Sequence, residues 1–156
     1  MTIAPRLQEY LRSEGVPFDA VAHSRTATAR QTAHAAHVPG ASVAKCVVVH
    51  HERGYVLAVV PSTHRVELGA LQSLLDRRLG LATEDEIAEL FDDCDVGAVP
   101  PIGPAYGMPS VVDESIATAA EVYFEGGDHR TLVHVTGDGF RRLMKDASWA
   151  RFSSPV

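Results

Sequence analysis

The sequence predicts a mixed α/β fold in a single domain, residues 1–156, with a mixed, largely antiparallel β-sheet surrounded by helices. Two valine-rich segments, 42–51 and 54–60, flank a polar corner, which is typical of a β-hairpin. Leucines at three- and four-residue spacing between residues 67 and 78 indicate an amphipathic helix. A chain of 156 residues can bury one sizeable core and is short for two domains.

Further elements follow from local signals along the chain. Residues 3–14 carry apolar side chains at helical spacing, and Thr83 followed by Glu86 forms a capping box that opens a helix running to Phe91. We expect Asp138 to cap the last helix. The other predicted elements are helices over 28–37 and 137–145, strands over 18–23, 110–112, 122–125 and 132–135, and a glycine- and proline-rich loop over 96–109.

Composition and charge limit the classes of function. A formal net charge of −6 and an isoelectric point near 5.7 argue against a broad basic surface, so we expect no DNA partner and only local contact with RNA. The apolar runs fall short of the roughly 20 residues that span a bilayer, and the N-terminus lacks a signal-peptide pattern. We therefore expect no membrane partner and a cytoplasmic location, with Cys46 and Cys94 reduced.

The segment from Gly97 to Gly103 is a stiff loop, since it has a glycine at each end and Pro100 and Pro101 between them. Such a loop can present fixed backbone N–H and C=O groups to a ligand. A tight structural connection between strands also explains these residues. The spacing by itself leaves both interpretations open.

Two charged or titratable side chains lie within a predicted strand or just after one. Lys45 lies inside an apolar strand, so it must face either solvent or a pocket, where its ammonium would meet a carbonyl oxygen or a phosphate. His129 follows a glycine pair that ends at Gly127, and it is either a cleft histidine or an exposed turn residue. His23 and Thr26 lie beside another strand end, where local capping explains them as well as function does.

The residue patterns predict neither a metal site nor a covalent nucleophile. His34 and His37 have i, i+3 spacing, but no HExxH motif or Cys/His ligand pattern is present. Cys46 and Cys94 lie in apolar contexts typical of inert thiols, and there is no Gly-x-Ser-x-Gly motif. We therefore expect no metal and no cofactor.

Taken in chain order, three features resemble the YbaK/ProX family: Lys45 in a valine-rich strand, the Gly-x-x-x-Pro-x-Gly loop at 97–103, and the Gly-x-His segment at Gly127 and His129. That family is related to the editing insertion domain of bacterial prolyl-tRNA synthetases. The resemblance extends over about residues 3–144. It implies a mixed α/β fold and free-standing hydrolysis of the ester that joins a mischarged amino acid to the terminal adenosine of tRNA.

The resemblance also implies roles for individual residues. Lys45 would hold the aminoacyl end, while Gly97, Pro101 and Gly103 would belong to a loop whose backbone orients the ester and a water. We therefore expect Lys45, this loop and His129 to bound one pocket. The residues implied in substrate binding are His129, Gly127, His23, Thr26 and Cys46. Two departures bear on the amino acid that is bound: Cys46 stands where related deacylases often carry Asn or Thr, and Pro100 doubles the loop proline.

The partners implied by the resemblance are the acceptor end of a mischarged tRNA and an aminoacyl-tRNA synthetase. A small basic mouth can recognise a single-stranded acceptor end and its 2′-hydroxyl. Candidates for that mouth are Arg25, Arg30, Arg65 and Arg130, although solvated surface charge explains each of them too. Two alternatives stay open: a catalytically inactive tRNA- or synthetase-binding module of the same fold, and a small-molecule or regulatory binding domain.

Overall fold

The computed structural model describes residues 3–26 and 28–156, which form a mixed α/β fold of the predicted class. The helices are α1 (Pro5–Ser13), α2 (Ala29–Ala35), α3 (Leu68–Leu75), α4 (Glu84–Leu90) and α5 (Gly137–Leu143). The strands are β1 (Asp19–Ala22), β2 (Ala44–His51), β3 (Gly54–Pro61), β4 (His64–Val66), β5 (Gly80–Leu81), β6 (Ser110–Asp113), β7 (Glu121–Glu125), β8 (Thr131–Thr136), β9 (Ser148–Ala150) and β10 (Ser153–Pro155). Within these residues, no helix is both long and apolar enough to cross a membrane.

The strands form three sheets, where the sequence predicted one. The largest is mixed, with the order β5-β2-β3-β6-β9; the predicted β2–β3 hairpin is antiparallel and β6 runs parallel to β3. A second sheet has the order β1-β8-β7 and is antiparallel, and β10 pairs with β4 in a third. A parallel bridge between Val43 and Tyr123 connects the first two sheets at the start of β2.

The β2–β3 hairpin is buried on both faces, which explains why its sequence is almost continuously apolar. Val48 and Leu57 pack in one buried cluster with side chains of α1, α5 and the β1-β8-β7 sheet. Val49 and Val56 point the other way, into a second cluster that includes Leu71 of α3. The hairpin therefore lies at the centre of the fold, between the two buried clusters.

Several local predictions are confirmed and others are corrected. The capping box of Thr83 and Glu86 is present at the start of α4. The N-cap of α5 is Thr136 rather than Asp138, because the Thr136 hydroxyl accepts a hydrogen bond from the Gly139 N–H at 3.0 Å. Helix α3 ends earlier than predicted, at a left-handed Asp76, and Leu74 on its predicted apolar stripe is 49% exposed.

Candidate functional site

A cavity of about 640 Å³ lies beside the first half of β2. Its lining includes residues from three distant parts of the chain that the sequence had singled out: Lys45 and Cys46 of β2, Gly97 and Val99 of the glycine- and proline-rich loop, and His129 after β7. Its volume is in the range of small-molecule sites in proteins, roughly 300–1,000 Å³. Residues that the sequence singled out separately therefore border one space.

The cavity exists because β2 has an open edge. Strand β5 pairs only with Val49 and His50, and the last bond on this side runs from the Ala82 N–H to the Val48 carbonyl at 3.0 Å. Alternate residues of a strand direct their backbone groups to the same side. The N–H and C=O of Cys46 therefore face the cavity, beyond the end of β5.

Lys45 and Cys46 approach the cavity from opposite faces of the strand, because successive side chains alternate. The Cys46 Sγ lies 4.0 Å from the Val99 carbonyl oxygen, on the side of the loop. Burial raises the pKa of Cys46 to about 12. The Lys45 side chain lies on the other face of the strand and borders the cavity around the strand edge. Its pKa is lowered mainly by desolvation and to a smaller extent by the nearby positive charge of Arg30.

The four arginines that were candidates for a basic mouth differ in their distance from the cavity. Arg30 and Arg65 line the cavity. Arg25 lines an adjoining outer recess, which also includes Thr26, Gly97 and His129. Arg130 lines neither space, and its side chain is exposed. Three of the four arginines thus lie around the opening of this overall acidic protein.

The turn that carries His129 is bound directly to the loop. The Nε2–H of His129 donates to the Val96 carbonyl at 3.0 Å, since a carbonyl oxygen can only accept. His129 has a positive φ of 61° and the adjacent Gly97 has a φ of 91°. A Cβ on Gly97 would lie 3.1 Å from the His129 Cε1, so glycine is required both by the backbone and by this close approach.

The other predicted glycine and proline positions lie behind the cavity. Pro101 and Gly103 are buried and are not among the residues that line it. A Cβ on Gly103 would lie 2.6 Å from the Met108 carbonyl oxygen, so this glycine allows the loop to pack closely. Gly127 is packed against Ala4 and Cys94 rather than facing the cavity. In the structure these three residues pack within the loop and the turn, and their roles at the substrate stay predictions.

Glu125, the last residue of β7, also lines the cavity, although no sequence pattern pointed to it. Its Oε1 accepts a hydrogen bond from the Thr32 Oγ1 at 2.9 Å and lies 3.2 Å from the His23 Nε2. His23 is thus placed behind Glu125 rather than in the cavity wall, whereas Thr26 lines the wall and bonds Thr32 at 2.5 Å. Burial raises the pKa of Glu125, partly opposed by Thr32 and His23.

The described side chains around this cavity are not arranged as a metal site. Within residues 3–26 and 28–156, no group of three His, Cys, Asp or Glu side chains is arranged to hold a metal ion. The chemistry available to the described residues is that of a cation, a buried carboxylate, a histidine and oriented backbone groups.

Comparison with known families identifies the class of this fold and site. The family model of the aminoacyl-tRNA editing domain matches residues 23–143, well over half of the chain. The protein belongs to this family, and the matched segment carries Lys45, the loop, Glu125 and His129. Among curated proteins, none matches the chain.

Solved structures show the same fold over nearly the whole chain. A protein provisionally described as a trans-editing enzyme for prolyl-tRNA synthetase is 29% identical, with a TM-score of 0.84, covering 97% of this chain and 96% of that one. A structure from work on computational grafting of epitopes onto scaffold proteins is also 29% identical, with a TM-score of 0.84 and 97% of each chain covered. A third, described as a hypothetical protein, is 22% identical with a TM-score of 0.82, covering 96% and 99%.

Proposed function

We propose that this protein is a trans-editing aminoacyl-tRNA deacylase, which hydrolyses the ester of a mischarged tRNA with a positioned water. The observation that carries the proposal is the convergence of Lys45, Gly97 and His129 on one cavity in an aminoacyl-tRNA editing domain. Deacylation requires a cation near the ester, groups that orient a water, and an opening for the end of the tRNA. Each has a candidate among the residues around the cavity.

The Lys45 ammonium is the proposed electrostatic partner of the substrate. Attack of water on the ester carbon places negative charge on the carbonyl oxygen, and a fixed cation in a poorly solvated site stabilises that charge. The lowered pKa of Lys45 reflects partial burial, which is the environment in which such a charge is most effective. Lys45 would act as a compact point charge rather than as a nucleophile.

The loop and His129 are proposed to orient the ester and the water. The Val99 carbonyl oxygen and the edge groups of Cys46 lie in or at the cavity wall, where they can accept or donate hydrogen bonds. The His129 Nε2–H donates to the Val96 carbonyl, so in a neutral ring Nδ1 would be left as an acceptor. Positioning of this kind can supply a large part of the rate enhancement without a covalent intermediate.

An editing task suits a small acidic protein with one basic opening. Arg25, Arg30 and Arg65 surround the opening, and they would neutralise only a few phosphates at the acceptor end. A second sieve is useful because a synthetase discriminates against a missing methylene by only about 1–3 kcal/mol. Recruitment by a synthetase would supply the remaining tRNA specificity.

The test is release of amino acid from a panel of mischarged tRNAs. A relative described as acting for prolyl-tRNA synthetase makes proline tRNA, charged with small amino acids, the first substrate to try. We expect catalytic release from at least one member and none from correctly charged controls. Tight tRNA binding without release from any member would contradict the proposal and favour a non-catalytic tRNA-binding module.

A further inference from the structure

Glu125 is a buried carboxylate in a cavity whose other charged side chains are basic. It is 8% exposed, and it lines the same cavity as Lys45, Arg30 and Arg65. Among the described residues that line the cavity, it is the one acidic side chain. A charged group is rarely buried in this way without a partner.

The two carboxylate oxygens of Glu125 are not equally satisfied. Oε1 accepts from the Thr32 hydroxyl and faces the His23 ring. Oε2 is buried and has no hydrogen-bond partner within residues 3–26 and 28–156. A buried acceptor without a donor lowers stability, and more so when it is charged. A donor brought by a ligand would recover that cost.

His23 and Thr32 fix where the carboxylate lies. The His23 side chain is fully buried, and its Nδ1 must donate to the Ser24 carbonyl at 2.7 Å. In a neutral ring, Nε2 would then be an acceptor facing another acceptor, Oε1, at 3.2 Å. The buried Nε2 has no hydrogen-bond partner among the described residues, so the ring lies directly against Oε1 and limits where the carboxylate can move.

We propose that Glu125 binds the α-ammonium group of the aminoacyl moiety, and that His23 and Thr32 position its carboxylate. This inference rests on the proposed deacylase function, and it adds a recognition element that is common to all amino acids. An ammonium has three N–H donors and a positive charge, so it complements the partnerless Oε2.

The arrangement of charge gives the substrate a direction in the cavity. Lys45, Arg30 and Arg65 attract phosphate and the carbonyl oxygen, but they would repel a free ammonium. Glu125 offsets that repulsion at one place in the wall. The ester oxygen would therefore be directed towards Lys45 and the amino group towards Glu125.

The test uses binding of two amide-linked analogues that cannot be deacylated, measured by calorimetry. These are 3′-deoxy-3′-(alanylamino)adenosine and its propionyl counterpart, which lacks only the amino group. Because a hydrogen bond to a charged group contributes about 1.5–3 kcal/mol, we expect wild type to prefer the alanyl analogue by about 10- to 150-fold. Glu125→Gln should reduce that preference to about twofold or less.

Two further variants separate the proposed roles from general damage. Glu121→Gln makes the same change at the other end of β7, where Glu121 contacts His134, and it should keep the full preference. His23→Gln should reduce the preference while leaving affinity for the propionyl analogue unchanged. A merely structural role for His23 would weaken binding of both analogues in parallel.

The outcomes also separate this inference from the proposed function. Equal affinity of wild type for the two analogues, a full preference in Glu125→Gln, or no binding of either analogue would overturn the ammonium site. An intact, Glu125-dependent preference in a protein that releases no amino acid from any mischarged tRNA would support the site and reject the deacylase.

Discussion

The His129 Nε2 donates a 3.0 Å hydrogen bond to the Val96 carbonyl, which joins the turn after β7 to the loop that borders the cavity. The bond connects residues that are 33 positions apart. Gly97 follows Val96 directly, and it has the positive φ that lets the chain turn beneath the imidazole. The histidine and the loop therefore form one unit, and a change in either should move the other.

Gly97→Ala tests this coupling. The new Cβ would occupy a strained backbone conformation and lie 3.1 Å from the His129 Cε1, so both the loop and the ring must shift. We expect about 1–3 kcal/mol lower stability and a fall of about tenfold or more in kcat/KM, because small misplacements at a reacting centre are costly. Urea denaturation and deacylation rates measure the two effects.

Gly107→Ala is the matched control for Gly97→Ala. Gly107 has a φ of 64°, and its Cβ would meet nothing within 4 Å. It should therefore lose stability through backbone strain alone and keep normal turnover. Equal turnover in the two variants would contradict the coupling between the loop and His129.

Local sequence signals predicted the elements whose causes are local. The capping box at Thr83 and Glu86 needs only four consecutive residues, and it was found as predicted. Strands β4, β5, β9 and β10 were missed because two or three residues are too few to show a period, so pairing with a partner strand creates them. The division into separate sheets was also missed, because it depends on which distant strands pair with one another.

A pocket bounded by Lys45, the loop over 97–103 and His129 was expected from the sequence, but the shape of the cavity and its other lining residues were not. Lys45 and Gly97 were notable because a lysine in an apolar strand and a glycine before prolines are locally unusual. Their common cavity depends on where β5 stops pairing with β2, which no local pattern contains. Glu125 was overlooked because its partner Thr32 is 93 positions away, although a charged residue ending an apolar strand was a usable signal.

The Cys46 thiol gives a pH dependence of stability. Burial raises its pKa from 9.0 to about 12 in the folded protein, so between these values the unfolded chain ionises while the folded one keeps its proton. The free energy of unfolding should therefore fall as pH rises from about 9 to about 12, and the contribution is complete below pH 9. Urea denaturation across this range measures the slope.

Cys46→Ala provides the comparison for the alkaline slope. It removes the titrating thiol, so its free energy of unfolding should fall less steeply with pH than that of wild type, whatever its absolute stability. Parallel slopes for the two proteins would show that Cys46 ionises as readily in the folded state as in the unfolded chain.

Removal of metal ions should leave deacylation unchanged. The ester is reactive enough for positioning and a fixed cation to act on it, and the sequence lacks metal-ligand spacing. Rates should be the same before and after dialysis against EDTA. Loss of activity with EDTA and recovery with zinc would contradict this prediction and direct attention to the histidines.

Lys45 is the side chain whose charge the proposed mechanism requires. Loss of one group that stabilises the oxyanion typically costs ~10²–10³ in rate, so Lys45→Ala should lower kcat by about that factor. The variant should still fold, because Lys45 is only partly buried and borders a cavity rather than the core. Circular dichroism and urea denaturation check the fold.

Lys45→Arg separates charge from geometry at the same position. Arginine keeps the positive charge but spreads it over a larger planar group, so it should restore only a small part of the lost rate. Arg65 lines the same cavity but is exposed, so Arg65→Lys should change tRNA affinity more than kcat. The measurement compares the deacylation rates of wild type, Lys45→Ala and Lys45→Arg on one active mischarged tRNA. A near-normal rate in the alanine variant would show that the proposed mechanism does not need Lys45.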